Sequence, residues 1–200
     1  SARRELSAAN ALSDYPSEEL LRRAEFNPHT KDCYVESSGT EVVIEGQRKL
    51  YLHTDGTLSY SGGAAEDGTL FAVAAADAAH ISRAELCAAA RGLIGALTQG
   101  RIGDAALFLS GIESDDDNGA TVFFDYMAGG TPIRFADGSH AAEVRIEGQS
   151  ITAFSLRLRR YTLTERDSLL LPLALSRAIA QRYPGCELTV AYIDSYGDSV

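Results

Sequence analysis

Apolar residues change their period several times along this chain, and each change marks an element. In Glu41-Val42-Val43-Ile44-Glu45-Gly46-Gln47, Val42 and Ile44 fall on one side and Glu41, Val43 and Glu45 on the other, the alternation of a half-buried strand. Gly46-Gln47 reads as a turn, after which Leu50 and Leu52 alternate with Lys49, Tyr51 and His53. Asp55-Gly56 is a hairpin signal, and Leu58 and Tyr60 continue the apolar side. The stretch predicts a three-stranded antiparallel meander with one apolar face. Residues 61–69 read as a loop.

The period then lengthens. Ser82 and Glu85 match a capping box, and Leu86, Ala90, Leu93, Ile94 and Leu97 recur at helical spacing, with Gly100 as the stop. Strands are predicted at Ala105–Gly111, Val122–Tyr126 and Pro132–Phe135, with turns at residues 115–119, Gly129-Gly130 and Asp137-Gly138. Glu143-Val144-Arg145-Ile146-Glu147-Gly148-Gln149 then repeats the earlier phrase almost letter for letter. A long strand over Ser150–Tyr161 follows, with Phe154, Leu156 and Leu158 on one face. A helix from Pro172 to Tyr183 comes next, Pro172 taking the first helical position, and a closing strand at Glu187–Tyr192.

Ahead of both copies, the alanine-rich residues 2–12 are compatible with a short helix. Ser17 is a candidate cap for a second helix, with Glu18 and Glu19 in its first turn and Asn27-Pro28 at its end. The chain reads as α+β. An N-terminal helical segment (1–30) precedes two tandem modules, each an antiparallel β-sheet with a helix packed on one face. The first is a β-β-α-β module over 31–113. The second is β-rich, over 114–200, with its helix at 172–183.

Composition narrows the function. Two hundred residues with 45% hydrophobic content can build a core, and a net charge of −10 disfavours nucleic acid. No apolar run reaches the length of a membrane helix. The chain opens Ser-Ala-Arg-Arg with no methionine, which reads as a processed or trimmed N-terminus that an anchor could have preceded.

Candidate chemistry is sparse. Cys33, Cys87 and Cys186 lack zinc spacing and read as packing residues, with one disulfide open to an oxidising compartment. The acidic turn 115–119 lacks the spacing of a calcium loop. His140 and Glu143, three apart on a strand, face opposite sides, and His29, His53 and His80 have no partner in sequence. Gly-x-Ser-x-Gly and the phosphate-binding glycine motifs do not occur. No catalytic, metal or cofactor-binding residue is assigned, and no cofactor is expected. Arg157, Arg159 and Tyr161 lie on one side of the long strand, Arg160 on the other. They form a candidate contact surface for an acidic partner, against the plainer reading that arginine stems cover the sheet and pair with nearby acids.

Phe124-Asp125-Tyr126, then Gly129-Gly130-Thr131-Pro132-Ile133, then Ala142-Glu143-Val144-Arg145-Ile146-Glu147-Gly148-Gln149 and Ile151 resemble the C-terminal region of the YycH/YycI regulatory family. The resemblance covers roughly residues 120–194 and is loosely similar to PepSY-like modules. The first half shares it mainly through the repeated phrase. It implies a protein held by an N-terminal membrane helix, with its globular part outside the cytoplasmic membrane of a Gram-positive-type bacterium. Such proteins modulate a sensor histidine kinase of cell-wall metabolism by protein contact and bring no catalytic residues. The leading expectation is therefore a non-enzymatic extracytoplasmic regulatory domain, whose partner is a sensor kinase or a sister regulator. Two others stand beside it: a PepSY-like inhibitor or chaperone of a cell-envelope enzyme, and a hydrolase with a dispersed active site.

Overall fold

The computed structural model describes residues 2–29, 32–62, 73, 81–114, 119–182 and 189–195. The chain is α+β. In order it runs β1 (Ala2–Asn10), α1 (Ser17–Arg23), β2 (Cys33–Val35), β3 (Glu41–Glu45), β4 (Arg48–Leu52), β5 (Thr57–Ser61) and α2 (Arg83–Thr98). It continues with β6 (Ala105–Ser114), β7 (Gly119–Ala128), β8 (Thr131–Phe135), β9 (Ala142–Glu147), β10 (Ser150–Arg157), β11 (Arg159–Leu169), α3 (Leu173–Ala180) and β12 (Tyr192–Asp194).

Among the described residues ten strands form one sheet, ordered β12-β8-β7-β9-β10-β5-β4-β3-β2, with β6 on β7. β6 runs along one edge of β7, while β9 pairs with the first half of the other edge and β8 with the second half. The sheet therefore forks at β7. β11 leaves it to form an antiparallel ribbon with β1.

The expected meander is present, as β3, β4 and β5 in antiparallel register. A separate sheet for each half is not. β5 pairs with β10, so hydrogen bonds join the two halves, and the expected boundary at 113/114 falls inside the β6–β7 hairpin. The helix assigned to the first module packs on β6, β7 and β9. The physical reason is the open edge that a three-stranded meander leaves at β5, which β10 fills.

Cross-strand register builds the core. Val43, Leu50, Tyr60, Phe154, Val144, Val122 and Ile112 are successive partners across the sheet, one apolar row on one face. Leu52, Leu58, Leu156, Ala142, Phe124 and Leu109 form the next row. Burying each large side chain in such a row contributes roughly 1.5–3 kcal/mol. Tyr60 stacks on Phe154 at 5.4 Å, and Phe26 meets Tyr60 edge-on at 6.1 Å. Helices α1 and α2 cover these rows, and Ala90, Leu93, Ile94 and Leu97 supply the buried stripe of α2. A second cluster holds Tyr126, Ile133, Phe135 and Tyr161 against Leu6, Ala8 and Leu163 of the β1–β11 ribbon.

The capping box of α2 is present: Ser82 Oγ accepts from the Glu85 amide at 3.2 Å, and Glu85 Oε2 accepts from the Ser82 amide at 2.8 Å. The last turn of α2 carries no basic residue. Arg23 of α1 supplies the cation, donating to the carbonyls of Ala96 and Gln99 at 2.9 Å each, where the helix dipole is negative.

Several local expectations change. Residues 2–10 form a strand because pairing with β11 outweighs the helical leaning of their alanines. Ser17 lies inside its helix; Pro16 holds the cap position in an extended conformation without a side-chain cap bond. Pro172 likewise precedes α3 as an extended cap. The long strand breaks at Leu158, whose amide donates to Gly56 O at 2.9 Å and whose carbonyl accepts from Ala11 at 3.1 Å. β12 sits slightly later than the expected closing strand, whose residues 187 and 188 lie outside the described residues. Most of the 61–69 loop, turn residues 115–118, His80, Tyr183 and Cys186 also lie outside them.

Candidate functional site

The expected contact residues Arg157, Arg159 and Tyr161 do not make a surface. The break at Leu158 turns Arg159 and Tyr161 inward, where they are 2% and 0% exposed. Arg159 Nη1 donates to Asp55 O at 2.6 Å, and its Nε lies 3.9 Å from Asp194 Oδ2. Gly56 makes room for it: its φ is +85°, and a Cβ there would come within 2.4 Å of Arg159 Nη1. Tyr161 donates to Asp194 Oδ2 at 2.5 Å and packs edge-on against Tyr126 at 5.1 Å. Burial first, and then the Asp194 carboxylate, push the Tyr161 phenol far above its ordinary range. Burial does the same to Tyr126, whose hydroxyl donates to Arg157 O at 2.9 Å. Arg159, Tyr161 and Asp194 thus pin β11 to β12 and to the turn before β5.

Arg157 alone remains partly exposed. Its Nη2 donates to Asp137 Oδ2 at 2.5 Å, and its guanidinium lies over Phe135 at 4.7 Å. Here the plainer reading of an arginine that covers the sheet and pairs with an acid describes the geometry.

The opposite face of the sheet carries a cluster that sequence reasoning missed. Asp125 on β7 is buried between the Arg134 guanidinium and the His140 imidazole. Arg134 Nη1 donates to its Oδ2 at 3.0 Å, and His140 Nδ1 lies 3.0 Å from its Oδ1. Ser110 Oγ stands 3.4 Å from the same ring nitrogen, and Phe123 packs on the ring at 4.6 Å. Serine, histidine and aspartate are the members of a nucleophilic triad, but their arrangement differs. A relay needs serine on one ring nitrogen and carboxylate on the other. Here both lie on Nδ1, so the imidazole cannot take a proton from Ser110 while Asp125 orients it. The partner of His140 is not Glu143 but Asp125, 15 residues earlier on β7, a separation at which spacing carries no signal.

His53 also has partners, Ser59 Oγ of β5 at 2.9 Å and Thr40 Oγ1, just ahead of β3, at 3.3 Å. Cys33 and Cys87 are free thiols. Among the described residues no group of three histidine, cysteine or acidic side chains could hold a metal ion, and no helix is long and apolar enough to cross a membrane.

One surface breaks the usual partition of apolar residues. Leu175 and Ile179 lie along one stripe of α3 and Leu171 just ahead of its Pro172 cap, and all stand exposed. Leu169 at the end of β11 is 90% exposed and Ile193 on β12 is 66% exposed, with Val190 between the helix and that strand. Single exposed leucines need no explanation; Leu169, Leu171, Leu175 and Ile179, close together along one stretch of chain, suit a contact surface.

Comparison of the chain with protein-family models, curated proteins and solved structures found no match.

Proposed function

We propose that this chain is a binding and regulatory domain that works by protein contact rather than catalysis. The observation that carries the proposal is the exposed apolar pair of α3, Leu175 and Ile179, together with exposed Leu169 and Leu171 in the chain leading into the helix. An amphipathic helix with its apolar stripe in water gains by docking that stripe on a partner. The partner class is the one the YycH/YycI resemblance implies: a membrane sensor histidine kinase or a sister regulator, met outside the cytoplasmic membrane.

The test uses the purified chain and the extracytoplasmic domain of the sensor kinase from the same genome, by isothermal titration calorimetry. The double variant Leu175→Asp/Ile179→Asp should keep its fold, since both side chains are exposed. It should bind at least about tenfold more weakly, a loss of about 1.4 kcal/mol or more. Equal binding by the variant and the parent chain would sink the proposal.

A further inference from the structure

The structure assigns a second binding site, the outer edge of β6 and the groove between β6 and α2, to an extended peptide segment that carries an acidic side chain near an aliphatic one. β6 is paired with β7 along one edge only. Among the described residues no strand pairs with its other edge; β11 packs on the Ala105–Leu107 end of β6, and the hydrogen bonds there go to the residue just ahead of the strand, the Asp104 amide donating to Tyr161 O at 2.8 Å. From Ala106 to Ile112 the strand contains no charge and no proline, the residues that usually keep an edge from being extended. At its far end Arg83 Nη2 donates to Ile112 O at 3.3 Å, so α2 already reaches out to this edge.

α2 and β6 run in opposite directions, with Arg83 near Ile112 and Thr98 near Ala105. Between them lies a cavity of about 290 Å³, lined by Arg91, Ile94, Gly95, Thr98, Leu107 and Phe124 among others. A strand added to β6 would hydrogen-bond along the edge and send alternate side chains under the helix, the geometry of peptide capture by strand addition. The lining favours an aliphatic side chain.

Charge selects the rest of the occupant. Arg91 stands exposed at the rim, with no ion-pair partner among the described residues, on a chain of net charge −10. A guanidinium so placed recognises a carboxylate in a two-bond fork. β11 closes the Ile102 end, so an incoming chain passes along β6 past Arg91 and offers it a side chain rather than a terminus. Thr98 to Arg91 spans roughly 10 Å of helix, about three residues of strand, which puts the acid two to four positions from the buried aliphatic residue.

The test titrates the whole chain with a fluorescent octapeptide, blocked at both ends, of alternating threonine and valine with one valine replaced by glutamate. Anisotropy should report a Kd of roughly tens of micromolar. The same peptide with glutamine should bind at least about tenfold more weakly, and so should the glutamate peptide to Arg91→Glu. Gly95→Leu should abolish binding without harming the fold, because a Cβ at Gly95 meets nothing within 4 Å and the added side chain fills the groove. Amide exchange along β6 should slow when peptide is bound. Leu175→Asp/Ile179→Asp should bind the peptide like the parent chain, since α3 takes no part, and this separates the site from the α3 surface. Equal binding of the glutamate and glutamine peptides overturns the assignment. So does binding that survives both Arg91→Glu and Gly95→Leu, binding lost with the α3 variant, or no binding at millimolar peptide.

Discussion

The two copies of the repeated phrase form the same hairpin and bury opposite faces of it. Each copy is a strand, a two-residue Gly-Gln loop and a return strand: β3–β4 around Gly46-Gln47 and β9–β10 around Gly148-Gln149. Both glycines have positive φ, +61° and +55°, and neither glutamine does, which is a type II′ turn in each copy. In the second copy Val144 and Ile146 enter the main core. In the first, Val43 enters it, and Val43 is the counterpart of Arg145. Val42, the counterpart of Val144, is buried on the other face, in register with Tyr34 and Tyr51.

Strand order explains the inversion. Across the sheet the strands read β3, β4, β5, β10, β9. β4 and β10 are both antiparallel to β5 and so point the same way. β3 lies on one side of its partner and β9 on the other. Superposing the hairpins therefore takes a half-turn about the strand axis, which exchanges the faces. The copies are related by rotation within one sheet, not by translation between two.

The largest effect should come from exchanging the residue at which the copies differ. Val43→Arg places a charge in the apolar row and should cost at least about 4 kcal/mol, enough to threaten folding. Arg145→Val removes a half-exposed pair with Glu147, whose Nε–Oε1 distance is 2.7 Å, and should stay within about 0.5–1 kcal/mol. Urea denaturation of both variants checks this. Comparable losses would break the inversion.

A smaller contrast separates the shared isoleucines. Ile146→Ala empties a fully buried core position and should cost about 2–5 kcal/mol. Ile44→Ala, half-buried on the outer face, should cost roughly 1 kcal/mol. If Ile44→Ala proved as damaging as Ile146→Ala in the same denaturation series, the outer face would need its own core. Where the copies are alike, the effects should be alike. Gly46→Ala and Gly148→Ala each force a left-handed residue into open space and should each cost about 1 kcal/mol.

Strand alternation made the meander, the repeated turn and the α2 stripe legible, because each depends on neighbours in sequence. Which of Val42 and Val43 meets the core was not legible: both faces of the first copy are apolar enough, and the choice is made by β5 pairing with β10 far along the chain. The alanines of β1 lean toward helix until β11, more than 140 residues later, offers an edge. The candidate surface failed for a related reason. Arg157, Arg159 and Tyr161 look solvent-facing on a straight strand, and only the break at Leu158 and the distant Asp194 make a burial site for Arg159 and Tyr161. Asp125 on β7 and His140 in the segment before β9 meet through the fold, where no spacing rule applies.

The smallest expected effect concerns the turns that lead into the two copies. Before β3, Ser38 Oγ donates to Thr40 Oγ1 at 3.0 Å. Before β9, the Ser139 amide and hydroxyl donate to Asp137 Oδ1 at 2.9 and 2.7 Å, and Arg157 donates to its other oxygen. These bonds, Ser139's before Arg157's, hold the Asp137 carboxyl down to about 2, against 3.8 for an unperturbed aspartate. A carboxyl that is more acidic when folded adds stability above the unfolded value and loses it as pH falls through the folded one. The turn before β9 should therefore loosen between about pH 3.8 and pH 2. Its contribution should be under about 1 kcal/mol, because the side chain is exposed enough for solvent to screen it. Amide exchange in that window should speed up at Ser139 more than at Gly39, and Asp137→Asn should remove the difference. Equal acceleration at both turns would mean that acid acts on the whole sheet and that the two lead-in turns do not differ in this way.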